Sequence, residues 1–229
     1  KWTEIFTGEK CEASQGGKEI ELMRPLESIP VYIKAGGILP LSMDKGNGAD
    51  NPEKLEIDVY EGDGNYTLYE DDDKGANKFF TEFKAERKVC GESMKQSLTI
   101  TSYGNDCVIP KGRVYCIRFK DIKDGETKVY KNDEAIEGAE VLTNCTAVDV
   151  PYEKGATYRV EVTYKKRTRS EEIIGYVKDV LLRAEGVTAD KDALWKQLQE
   201  VRSIEEYTET LKASTSVSEC IKAKLKEIL

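Results

Sequence analysis

The hydrophobic pattern of this chain changes period once, near residue 167. Before that point apolar residues alternate with polar ones; after Ser170 they recur every third or fourth position. A period of two belongs to a strand with one buried face, and a period near 3.6 to a helix with one buried stripe. Leu55, Ile57 and Val59 alternate with Glu56 and Asp58. The Gly62-Asp-Gly-Asn65 run that follows tolerates positive φ, and Tyr66-Thr-Leu-Tyr69 resumes the alternation. Together these segments predict a β-hairpin. Further strands are predicted at Glu19–Met23, Val31–Ile33, Gln96–Ser102, Val114–Phe119, Lys128–Tyr130, Ala147–Val150 and Thr157–Tyr164. Turn signals separate them at Lys45-Gly-Asn-Gly48, Asp124-Gly125 and Lys154-Gly155. Many short strands at this spacing predict a mainly β chain of antiparallel sandwich domains. No strand–helix repeat is present, so no βα-barrel is expected within the chain.

Beyond Ser170 the stripes predict a small α-helical C-terminal bundle. Ile173, Val177, Val180, Leu181 and Ala184 share one helical face; Leu194, Leu198 and Val201 share the next. Ile204, Tyr207 and Leu211 follow, then Val217, Ile221, Leu225 and Ile228. Capping boxes are expected at Ser203 with Glu206 and at Ser216 with Glu219, and Gly186 is expected to end the first helix. Short helices are marginal alone in water, so the stripes must be buried.

The 229 residues contain no histidine. A Ser–His–Asp or Cys–His relay is therefore excluded within the chain, and acid–base chemistry would fall to Asp, Glu, Lys, Tyr or Cys. A formal charge of −8 argues against nucleic-acid partners and anionic lipid surfaces. The six cysteines, Cys11, Cys90, Cys107, Cys116, Cys145 and Cys220, form no CxxC pair. Reduced, buried thiols are expected, while a disulfide between neighbouring strands stays open on sequence alone. Asn65-Tyr-Thr and Asn144-Cys-Thr match the glycosylation pattern, which short sequences meet by chance. No run is apolar for long enough to span a bilayer, and no signal peptide is visible. The chain opens within a strand-like segment, so a missing N-terminal part is expected, and the location is expected to be cytoplasmic.

Three segments carry a family resemblance. They are Trp2-Thr-Glu-Ile-Phe-Thr-Gly8, then Pro25-Leu-Glu-Ser-Ile-Pro-Val-Tyr-Ile-Lys-Ala-Gly-Gly-Ile-Leu-Pro-Leu41, then Leu55–Asp72 with its T-L-Y-E-D-D run. In order and spacing they resemble the region that follows the catalytic barrel in family 31 glycoside hydrolases of the α-glucosidase type. Glu4 stands where that family usually has Asp, and Asp73-Lys74 intervenes before Gly75. The resemblance implies a proximal β-domain over 1–52, incomplete at its start, a distal β-sandwich over 53–166, and a helical tail over 170–229. It implies a non-catalytic region supporting a barrel elsewhere in the same parent chain, which would hydrolyse terminal α-linked sugars.

Retaining glycosidases need two carboxylates about 5–5.5 Å apart. Nothing in the sequence matches the family's W-x-D-M-N-E-like nucleophile segment, so no catalytic residue, metal ligand or cofactor is assigned. The acidic run Glu70-Asp-Asp-Asp73 lacks the alternate ligand spacing of a calcium loop and reads as a solvated turn. Tyr60, Tyr66, Tyr69, Tyr103 and Tyr130 are candidates for a sugar-stacking surface, against the commoner role of tyrosine in cross-strand packing. Trp195 is expected in a core or docking role. A carbohydrate-binding module, and an oligomerisation module acting through the helical tail, are the alternatives to the supporting role.

Overall fold

The computed structural model describes residues 1–226 apart from 7, 15, 23–28, 46–49, 121, 123–124, 137–140, 143–146, 166–168 and 202. Its strands, in chain order, are β1 (Trp2–Glu4), β2 (Lys10–Cys11), β3 (Tyr32–Lys34), β4 (Ile38–Ser42), β5 (Lys54–Val59), β6 (Gly64–Asp71) and β7 (Lys78–Cys90). There follow β8 (Ser93–Gly104), β9 (Val114–Phe119), β10 (Gly125–Lys131), β11 (Glu134–Ala135), β12 (Val141–Leu142), β13 (Ala147–Pro151) and β14 (Thr157–Lys165). The helices are α1 (Arg169–Arg183), α2 (Thr188–Gln199), α3 (Ile204–Ala213) and α4 (Glu219–Lys226). The chain is mainly β with a helical C-terminal region, and the described residues form no closed barrel. It divides into two compact units, Lys34–Lys166 and Lys1–Ile33 with Arg167–Leu229.

Lys34–Lys166 is a sandwich of two sheets. One runs β11-β10-β14-β8-β7-β6 and the other β12-β13-β9-β5-β4. Period-two alternation turns Ile57, Ile117 and Val148 of the second sheet toward Phe83, Leu98 and Val160 of the first, in one buried core. Among the described residues pairing is antiparallel except between β5 and β9, which lie parallel.

Several expectations change here. The hairpin predicted over 55–69 does not form: β5 and β6 belong to opposite sheets, and residues 60–63 cross between them. Pro40 does not end its strand. It lies inside β4, at the edge of the five-stranded sheet, where a missing N–H interrupts no ladder. Glu19–Glu21 and Leu22 form no strand, and Met23 lies outside the described residues. The sequence-based boundary at 52/53 falls within the five-stranded sheet, because β4 pairs with β5. Of the expected turns, Gly46–Gly48 and Asp124 lie outside the described residues.

The crossing at 60–63 is what glycine makes possible. Gly36 has φ 79°, and a Cβ there would lie 2.0 Å from the Asp63 carbonyl oxygen. A Cβ on Gly64 would meet the Gly36 carbonyl oxygen at 2.1 Å, and one on Gly62 the Gly36 nitrogen at 2.7 Å. The Ala35-Gly-Gly37 turn and the Gly62-Asp-Gly64 turn thus interlock backbone to backbone. Gln96, fully buried on β8, clamps the same crossing: its amide donates to the Gly62 carbonyl at 2.9 Å and accepts from the Gly62 N–H at 3.0 Å.

In the other unit β1, β2 and β3 form a small sheet. The helices bury their predicted stripes in a core of their own that includes Ile173, Val177, Leu194, Leu198, Tyr207 and Leu211. Ile228 lies outside the described residues. The Ser203 cap forms, with its hydroxyl accepting from the Glu206 N–H at 3.1 Å. The box expected at Ser216 does not: α4 starts at Glu219, Ser218 accepts from the Ile221 N–H, and Ser216 meets the Ser214 hydroxyl at 2.9 Å. Gly186, at φ 155°, lies in the break between α1 and α2.

Candidate functional site

The residues that carry the family resemblance form structural contacts. Glu4, at the usual Asp position, is buried at the end of β1. Its carboxylate accepts from the Phe6 N–H at 3.1 Å and the Val31 N–H at 3.2 Å, tying the turn after β1 to the segment leading into β3. A carboxylate held by backbone donors in this way is a brace for two segments.

The acidic run divides by the strand period. Glu70 points into the sandwich, where it is 5% exposed and faces Arg113, which is 0% exposed. The guanidinium donates to both carboxylate oxygens, at 2.9 and 2.7 Å, and its Nε donates to the Pro52 carbonyl at 2.6 Å. This fork joins β6 to the segment entering β9. Glu70 is therefore no part of a solvated turn. Asp71, the last residue of β6, and Asp72 hold the turn that follows: Asp71 accepts from the Asp73 N–H, and Asp72 from the Lys74 N–H and the Asn77 amide. The Asn77 hydrogen bond outweighs the opposing effect of desolvation and holds the Asp72 carboxyl below the ordinary range. Among the described residues no group of three Cys, Asp or Glu side chains is arranged to hold a metal ion.

Among the described residues, acids also gather in two other places. On the outer face of the five-stranded sheet Glu56 and Asp58 stand two apart on β5, paired with Arg118 at 3.1 Å and Lys120 at 3.3 Å. Burial, then the neighbouring Asp58 charge, pushes the Glu56 carboxyl up. Each acid faces its own cation on a sheet surface, an arrangement of structural ion pairs. In the helical unit an open groove of about 520 Å³ is lined by Glu200 and Glu206 among mostly small and hydroxyl side chains. Both acids are exposed, one at the end of α2 and one in the first turn of α3.

The candidate tyrosines separate. Tyr60 is core. Tyr66 is partly exposed on the edge strand β6, opposite Phe83. Tyr130 lies under the Arg159 guanidinium, 4.2 Å from the ring centre. Tyr69 and Tyr103 come together on the outer face of the six-stranded sheet, on either side of Phe80. Register puts Tyr69 opposite Phe80 and Phe80 opposite Tyr103. Their ring centres are 5.4 and 5.2 Å apart, tilted by 58° in the first pair and stacked at 16° in the second. Tyr69 donates to Asp71 at 2.6 Å and Tyr103 to Glu82 at 3.2 Å. Trp195 is half-buried against the helical core. The sequence reading missed Phe80 and Arg113, and it placed Gln96 on a strand without its buried role. The alternation Phe79-Phe-Thr-Glu-Phe83 was the available signal for Phe80; Gln96 and Arg113 are polar residues whose burial no local pattern announces.

The described cysteines are free thiols, as expected, but most of them are not buried. Cys116 is buried, Cys11 half-buried, and Cys90, Cys107 and Cys220 are exposed, all as free thiols; Cys145 lies outside the described residues. Burial, then the Asp149 carboxylate, pushes the Cys116 thiol up to about 11. Asn65 is exposed on β6, and Asn144 lies outside the described residues. Among the described residues no helix is long and apolar enough to cross a membrane.

No family model matches the chain. Over 73 residues it is 34% identical to an α-xylosidase from Saccharolobus solfataricus, a match spanning 31% of this chain and 10% of that protein. The match relates this chain to a glycoside hydrolase. Among solved structures, the α-1,4-glucan lyase of Gracilariopsis lemaneiformis superposes over 70% of this chain and 19% of its own, at 14% identity and a TM-score of 0.48. A GH127 β-arabinofuranosidase superposes over 48% of this chain and 19% of its own, at 14% identity and a TM-score of 0.27. The chain thus spans about a tenth of the curated relative it matches and about a fifth of each of these solved chains.

Proposed function

We propose that this chain is the non-catalytic region following the barrel of a family 31 glycoside hydrolase, of the α-glucosidase or α-xylosidase type. Its role is to support a catalytic barrel in the same longer protein, with the reactive acids on that barrel. One observation carries the reading: the motif residues behind the resemblance are spent on the fold. Gly36, Gly62 and Gly64 interlock two turns, Glu4 braces two segments, and Glu70 is forked by Arg113. The local identity to an α-xylosidase supports the same reading.

The sequence encoded upstream of Lys1 tests it. The expected result is a βα-barrel with two catalytic Asp residues, one in a W-x-D-M-N-E-like segment. An upstream sequence with no barrel would overturn the proposal.

A further inference from the structure

The outer face of the six-stranded sheet carries an aromatic row that the sandwich core does not use. Tyr69, Phe80 and Tyr103 stand side by side on β6, β7 and β8, on the opposite face from Phe79, Thr81 and Phe83. Tyr69 is 47% exposed and Tyr103 48%. Burying these rings is not what holds the sheets together. The row is nonetheless braced: each outer ring leans on Phe80, and each phenol donates to a carboxylate, Tyr69 to Asp71 and Tyr103 to Glu82.

We propose that this row binds a neutral oligosaccharide. The C–H faces of a pyranose pack on aromatic rings, and its hydroxyls donate to carboxylates beside them. Both partners are present: three rings in line, with Asp71 and Glu82 flanking them as acceptors and the exposed Thr67 opposite Glu82. Rings held in place before binding lose little freedom on contact, which is how a shallow surface gains affinity. The patch interleaves rings with Lys78, Glu82 and Lys84, so it lacks the continuous apolar area that a protein partner would need. Tyr130 is excluded, because Arg159 covers its ring.

The ligand class follows from the relation to a glycoside hydrolase, whereas the site stands on this chain alone. A parent without a barrel would defeat the supporting role and leave sugar binding intact; failure to bind sugar would do the reverse.

The test titrates the purified 229-residue chain with maltoheptaose, and separately with a xyloglucan heptasaccharide bearing terminal α-xylose, by calorimetry. Saturable binding of at least one, with a dissociation constant of about 1 mM, is expected. Tyr69→Ala and Tyr103→Ala should each weaken it at least about tenfold, since each removes one stacking face. Tyr103→Phe keeps the ring and should stay within about twofold, as should Tyr130→Ala on the same sheet face. Should Tyr103→Ala lose its cooperative melt, Tyr103→Leu keeps the apolar contact with Phe80, removes the π face and carries the same expectation. No binding of either sugar at about 20 mM, or binding unchanged in the ring variants, would overturn the proposal.

Discussion

Gly36→Ala would drive a methyl carbon to 2.0 Å from a backbone oxygen that is itself held in the crossing turn. Neither turn can yield without opening the other, and φ at this residue is positive. The variant should lose about 3 kcal/mol of stability, read from denaturant midpoints. Gly75→Ala, with similar φ and nothing within 4 Å of the new carbon, should lose distinctly less. Equal losses would show that the interlock contributes nothing. The Glu70–Arg113 fork makes a different prediction. Arg113→Met leaves a buried carboxylate alone and should cost about 3–5 kcal/mol, while adding Glu70→Leu should recover most of that loss. A double variant as unstable as the single one would contradict the assignment. Glu161 sets a pH dependence. Burial alone would push its carboxyl up, but the hydrogen bond and charge of Lys95, then Arg159, outweigh this and hold it below the ordinary range. A carboxyl depressed in the folded state stabilises above its unfolded value, and that contribution is lost as pH falls through the folded value. The deficit of Glu161→Gln should therefore be full at pH 7 and shrink below about pH 4. A deficit independent of pH would refute this. In all three cases the residue type was visible in the sequence and the main partner was not, because Asp63, Arg113 and Lys95 lie far along the chain from Gly36, Glu70 and Glu161.

At the scale of elements, much was legible. The strands from Val114 to Phe119 and from Ala147 onward, and the buried stripes of the helices, follow from period alone. The longest strand, β7, did not. Its solvent face carries Glu82, Lys84 and Glu86, and its last turnward residues Arg87 and Lys88 hide the alternation of Phe79, Thr81, Phe83 and Ala85. Losing β7 meant losing Phe80, and with it the centre of the aromatic row. The predicted hairpin failed for a related reason. A Gly-rich turn between two strands is compatible with either a return in one sheet or a passage to the other, and only the fit of Gly62 and Gly64 against Gly36 decides. Helix starts were half legible: serine three residues before glutamate occurs twice, but only Ser203 caps its helix as expected. Ser203→Ala should cost about 1 kcal/mol of helical-unit stability, and Ser216→Ala distinctly less. The opposite ranking in thermal melts would favour the sequence-based box at Ser216.

For the whole molecule, the change of period near residue 167 foretold a β part and a helical part, and the structure has both. It did not foretell that Lys1–Ile33 would group with the helices, since grouping depends on contacts between distant segments. The role proposed for this polypeptide is scaffold in a glycoside hydrolase whose chemistry lies elsewhere. Turnover of p-nitrophenyl α-glucoside and p-nitrophenyl α-xyloside by the purified 229-residue chain, beside the full product of its gene, tests this most directly. The full product should hydrolyse at least one substrate, and this chain should give a rate indistinguishable from buffer. Hydrolysis by this chain alone, abolished by changing an acid within it, would contradict it.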